Sequence, residues 1–148
     1  MNESILIVDD NADDAALIKR AVFSLHPRCA VRVLTCAKEL KEWVDGEGEF
    51  ADREQFPYPC LILLDLRMPE MTGLELLEWL KDQPRHSAIP VIAVSSFDRQ
   101  REIRKSYQLG ARTFLSKPIS AEELRTAIRS LKLPVVFAER WTDKAAVH

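Results

Sequence analysis

Residues 59–73 read PCLILLDLRMPEMTG. Five apolar residues, Cys60 to Leu64, run straight into a carboxylate at Asp65. A run of that length reads as a strand covered on both faces, the habit of a parallel sheet. In open parallel sheets ligands bind beyond the carboxyl ends of the strands, which places Asp65 at the lip of such a crevice. An Asp at a strand end can equally cap a turn, and this stretch alone does not separate the two readings.

The rest of the chain repeats the pattern. SILIV (4–8), AVRVL (30–34), PVIAV (90–94) and RTFL (112–115) read as strands beside 60–64. Helix-length amphipathic stretches alternate with them over 12–25, 37–44, 72–82, 98–109 and 120–131. Thr72 with Glu75, and Ser120 with Glu123, fit capping boxes. The polar, Gly- and Pro-containing stretch 45–59 reads as a mobile loop. Five strands alternating with five helices imply an α/β fold with a parallel sheet wrapped on both faces. A doubly wound, flavodoxin-like (βα)5 order 2-1-3-4-5 is the simplest solution at this length, since crossovers are right-handed.

Bulk properties narrow the class. A chain of 148 residues is one domain by size, and 47% hydrophobic with 30% charged residues is ordinary for a soluble globular protein. A formal net charge of −2 argues against general nucleic-acid binding. No apolar run approaches the ~20 residues of a membrane span, and MNESILIVDD lacks the features of a signal peptide. Cys29, Cys36 and Cys60, odd in number and without metal-like spacing, read as packing residues in a reducing compartment. A cytoplasmic protein is expected.

The strand ends carry the chemistry. Asp9 and Asp10 follow the first strand, Asp65 the third, Ser95 and Ser96 the fourth, and Ser116, Lys117 and Pro118 the fifth. In a parallel sheet these ends share one edge. Three close carboxylates repel, and one is driven to take up a proton unless cations intervene. Lys117 supplies one charge and a hard divalent ion such as Mg2+ suits the rest. An Asp in that setting is a candidate phosphoryl acceptor, with hydroxyl and ammonium groups to bind the phosphoryl oxygens.

ILIVDDN, LILLDLRMPEMTG, PVIAVSS and FLSKPI together resemble the motifs of two-component response regulator receiver domains over about residues 4–131. SYQLGARTFLSKPIS and the Pro-rich lead-in to the third strand resemble the stand-alone regulators associated with phytochrome-type histidine kinases. The resemblance implies a receiver domain over 1–131 and an extension over 132–148 holding no effector domain. It implies Asp65 as phosphoacceptor, Asp9 and Asp10 with Asp65 and the backbone carbonyl of Arg67 as Mg2+ ligands, and Ser95 and Lys117 as phosphoryl-binding groups. It implies a cis peptide before Pro118 and a switch-aromatic role for Phe114, which plain strand packing would explain equally. Ser96 could compete with Ser95. Arg67 and Phe97 occupy rate-setting positions, with Phe97 expected to shield the phosphoryl group.

The implied protein is not an enzyme. Its implied partners are a sensor histidine kinase or histidine phosphotransfer protein, with neither nucleic acid nor membrane. Arg99, Arg101, Arg104 and Lys105, with Arg125 and Arg129, give the helix four–strand five–helix five face a basic character. That face suits an acidic partner or a homodimer, for which the C-terminal extension is the other surface. Asp13 and Asp14 read first as acidic residues capping helix one. His26, His86 and His148 lack a phosphotransfer context. Two alternatives stand beside this reading. A haloacid-dehalogenase-type phosphohydrolase would need an acid where Arg67 stands. A receiver-like adaptor would work without phosphorylation.

Overall fold

The computed structural model describes residues 4–68, 71–96 and 100–131. Five parallel strands, β1 (Ser4–Val8), β2 (Ala30–Leu34), β3 (Pro59–Asp65), β4 (Val91–Ser95) and β5 (Thr113–Ser116), form one sheet in the order β2-β1-β3-β4-β5. This is the flavodoxin-like order expected from the alternation of elements. The helices are α1 (Ala12–Leu25), α2 (Ala37–Asp45), α3 (Gly73–Asp82), α4 (Gln100–Gln108) and α5 (Ala121–Ser130). Expected positions 98 and 99 of the fourth helix, Phe97, and the extension 132–148 lie outside the described residues.

The central strands are buried on both faces because each alternate residue meets a different helix layer. Ile5 and Ile7 of β1 pack with Ile18, Val22 and Leu25 of α1 and with Leu124 and Ile128 of α5. Leu6 and Val8 pack the other way, against Leu40 and Trp43 of α2 and Leu76, Leu77 and Leu80 of α3. Both expected capping boxes form: Thr72 Oγ1 accepts from Glu75 N at 3.2 Å and Ser120 Oγ from Glu123 N at 3.1 Å. Helix α1 is instead capped by Asn11, whose side chain accepts from Asp14 N at 2.9 Å, and not by Asp13 or Asp14.

The segment expected as a mobile loop, 45–59, is packed. Gly46 takes the left-handed conformation (φ 69°) that closes α2 in a Schellman turn, with Glu47 N bonded to Glu42 O at 3.0 Å. A 3-10 turn over Gly48–Ala51 then brings Phe50 and Phe56 onto Trp43, at centroid distances of 5.3 and 5.2 Å. Arg53 donates to Trp43 O (2.7 Å), Val44 O (3.0 Å) and Phe56 O (3.2 Å). Trp43 Nε1 donates to Pro57 O at 2.9 Å. Polar composition concealed this because three spaced aromatics do not form a periodic pattern.

Candidate functional site

The chain ends β3 on Asp65 itself, which pairs with Val94 of β4, while Leu66 N donates to Val94 O at 3.0 Å. The carboxylate is thus fixed by the sheet ladder, and it is only 4% exposed. Beside it, Asp9 follows β1 and is buried, while Asp10 faces out. Ligand oxygens of Asp9, Asp10 and Asp65 all lie within 4.8 Å of one another. The expected acidic triad therefore assembles.

Lys117 reaches it from the end of β5. Its side chain is 8% exposed, and Nζ lies 2.7 Å from Asp9 Oδ2, 2.9 Å from Asp14 Oδ2 and 3.6 Å from Asp65 Oδ2. The Lys117–Pro118 peptide is cis, as expected, and Lys117 N donates to Ser95 O at 2.9 Å, locking the strand end. Burial pulls the ammonium pKa down, but the hydrogen bonds to Asp9 and Asp14 and the Asp65 charge outweigh it and leave the group above its usual value. Asp14, first read as a cap, is therefore a lysine partner. Its place in the first turn of α1, directly after the Asp9–Asp10 pair, is the signal the sequence offers.

The other expected residues distribute as follows. Arg67 N donates to Asp65 Oδ1 at 3.1 Å, and Arg67 helps line a cleft of about 230 Å3 with Asp10, Asn11, Asp14, Asp65, Ser96 and Lys117. Ser95 is fully buried at the end of β4, whereas the exposed Ser96 lines the cleft. Phe114 is partly buried against the α2–α3 side of the core. Gly73 has no signature in the sequence pattern: a Cβ there would lie 2.2 Å from Asp65 O, so α3 begins in direct contact with the strand end.

Four carboxylates, Asp9, Asp10, Asp14 and Asp65, face one ammonium, so the site carries excess negative charge. Burial raises Asp65 first; the Arg67 N–H opposes it, the Asp9 charge adds to it, and Lys117 offsets part, leaving the carboxyl at about 6. Its ordinary value is 3.8, so the folded state holds this proton more tightly than the unfolded one. Stability from this group is fully present below that value and is lost as pH rises through about 6. Asp65→Asn should therefore exceed wild type by about 1–3 kcal/mol at pH 7.5 without metal, a gap that closes near pH 4. Urea midpoints at the two pH values check this. An all-oxygen donor set with unbalanced negative charge is what a hard divalent cation requires, so the residues fit Mg2+.

A second polar network lies at the opposite sheet edge. His86, 2% exposed, holds Asp45 Oδ1 at 2.8 Å through Nε2 and Tyr58 OH at 2.7 Å through Nδ1. These contacts tie the end of α2 to the loop before β4, a structural role invisible in a lone loop histidine. The three cysteines are half-buried thiols.

Comparison with known proteins agrees with this geometry. The response regulator receiver domain family matches residues 5–129. The polar-differentiation response regulator DivK of Brucella ovis is 30% identical over 135 residues, covering 88% of this chain and 96% of that protein. The bacteriophytochrome response regulator AtBRR superposes with a TM-score of 0.79 at 28% identity, over 90% of this chain and 95% of its own. The phosphorylated cyanobacterial phytochrome response regulator RcpA does so with a TM-score of 0.76 at 27% identity, over 90% and 99%. Among the described residues no helix is long and apolar enough to cross a membrane. With its triad, lysine and sheet order in place, the chain belongs to the response regulator receiver domain family of two-component signalling and is similar to the stand-alone regulators of phytochromes.

Proposed function

We propose that this chain is a single-domain response regulator that accepts a phosphoryl group on Asp65 from a histidine kinase or histidine phosphotransfer protein. The observation that carries this reading is the convergence of Asp9, Asp10 and Asp65 on Lys117, drawn from residues 108 positions apart. Asp65 attacks phosphorus, the P–O bond forms as the P–N bond of the donor breaks, and the imidazole leaves with a proton. Lys117 meets the charge on the phosphoryl oxygens, with Ser95 or Ser96 donating a hydroxyl. Mg2+, held by Asp9, Asp10, Asp65 and the Arg67 carbonyl, supplies charge neutralisation when bound.

The chain is a switch and not a turnover enzyme in this reading, and it works in the cytoplasm. Phosphorylation biases a contact surface toward a binding-competent population. Exposed Arg101, Arg104 and Lys105 on α4 and Arg129 on α5 suit an acidic partner or an acidic patch on a second copy.

Intact mass after incubation with a small-molecule phosphodonor tests this. We expect one added phosphoryl group that requires Mg2+ and is absent in Asp65→Asn. No addition, together with no binding of Mg2+–beryllofluoride, would favour the phosphorylation-independent adaptor.

A further inference from the structure

Arg67 links the site to α4. Its guanidinium forms a direct ion pair with Glu102 Oε1, 35 residues away in the first turn of that helix, at 2.5 Å. We propose that Glu102 is a positioning residue for the phosphoacceptor site. It holds the Arg67 guanidinium at the cleft lip and yields it to the arriving phosphoryl group, so that charge on Asp65 detaches the first turn of α4. This inference rests on the reading of Asp65 as phosphoacceptor.

Three observations carry it. Arg67 already touches Asp65 through its backbone N–H and is one of the residues lining the same cleft, so its long side chain starts beside any group carried on Asp65. A phosphoryl group carries about −1.5 to −2 charges and offers paired oxygens to a guanidinium, whereas Glu102 offers a single negative charge. Lys117 is meanwhile shared among three carboxylates, so a second cation is in demand.

Glu102 is also poorly provided for without its arginine. Its side chain is 20% exposed, and Oε2 is buried with no hydrogen-bond partner among the described residues. A carboxylate with one orphaned buried oxygen and one cationic partner must move toward water when that partner leaves. The helix that carries it can follow. Ser106 is the sole fully buried residue of α4, whereas α3 buries Leu76, Leu77 and Leu80 and α5 buries Leu124, Ala127 and Ile128. Elements with little buried apolar surface open at the lowest free energy. An ordinary surface pair would show neither the buried oxygen nor the weakly anchored helix, and would contribute little.

The test is a double-mutant cycle on binding of Mg2+–beryllofluoride, measured by titration calorimetry on the full chain. Glu102→Gln should bind about three- to tenfold tighter than wild type, because Glu102 no longer competes for the guanidinium. Arg67→Met should bind more weakly, and the double variant should match Arg67→Met alone. Hydrogen exchange in α4 should quicken on adding beryllofluoride to wild type, and without ligand in Glu102→Gln. Unchanged affinity in Glu102→Gln, or a gain that survives in the Arg67→Met background, overturns the proposal while leaving the phosphoacceptor intact. Failure of wild type to bind, or binding retained in Asp65→Asn, overturns the phosphoacceptor reading and this proposal with it.

Discussion

Lys117→Met lowers the rate at which Asp65 accepts a phosphoryl group by about 10²–10³-fold while tightening divalent-metal binding. The two effects diverge because the ammonium does two jobs. At rest it neutralises Asp9, Asp14 and Asp65, at 2.7, 2.9 and 3.6 Å, and so competes with a metal for the same carboxylates. In the proposed transfer it would face the developing charge on the phosphoryl oxygens, a task no other described lysine is placed to take over. Removing one partner of a buried ion pair also costs about 3–5 kcal/mol of stability. Because the Lys117 pKa is raised, its contribution is fully present below its ordinary value of 10.5 and is lost only as pH climbs through the raised one. At neutral pH the loss is therefore complete, and acidification relieves part of it as Asp65 protonates near pH 6. Phosphorylation followed by intact mass, beside a metal titration, checks the divergence. Parallel losses of rate and metal affinity would mean that the lysine only holds the carboxylates in place.

Gly73→Ala carries the second large effect, a loss of about 3 kcal/mol. The added Cβ would stand 2.2 Å from Asp65 O and 2.6 Å from Leu66 Cα, both backbone atoms of the strand and the turn after it. No rotamer change relieves such a contact. Either α3 backs away, breaking the 3.2 Å bond from Gly73 N to Leu66 O, or β3 shifts and carries Asp65 with it. Gly46→Ala is the control, since its difficulty is a positive φ with a flexible arginine nearby, a penalty of about 1–2 kcal/mol. Urea unfolding of the two variants separates them, and a loss below about 1 kcal/mol in Gly73→Ala would show that α3 is free to slide.

The difference between these glycines shows what the sequence makes legible. Apolar runs and capping boxes act locally, so the strands, the helices and the triad of Asp9, Asp10 and Asp65 could be placed from residue order and parallel-sheet geometry. Contacts between elements leave fainter traces. Asp14 looked like a cap because acidic residues favour helix starts, and only the approach of β5 turns it toward Lys117. Glu102 meets Arg67 across 35 residues and has no local signature. Phe50 and Phe56 looked like loop residues until Trp43 gave them a surface.

The distance along the chain between Asp9 and Lys117 also sets an order in time. They form their 2.7 Å contact across 108 residues, a stretch that takes about 5–20 s to synthesise. For that interval the nascent chain has its acidic pair, then Asp65, without the lysine that balances them, since β5 is the last strand to arrive and sits at the sheet's outer edge. If Asp65 is the phosphoacceptor, its full reactivity is therefore gained in one late step, when the final strand docks and brings Lys117 to the carboxylates. Phosphorylation at the full rate would then report that the last strand is in place.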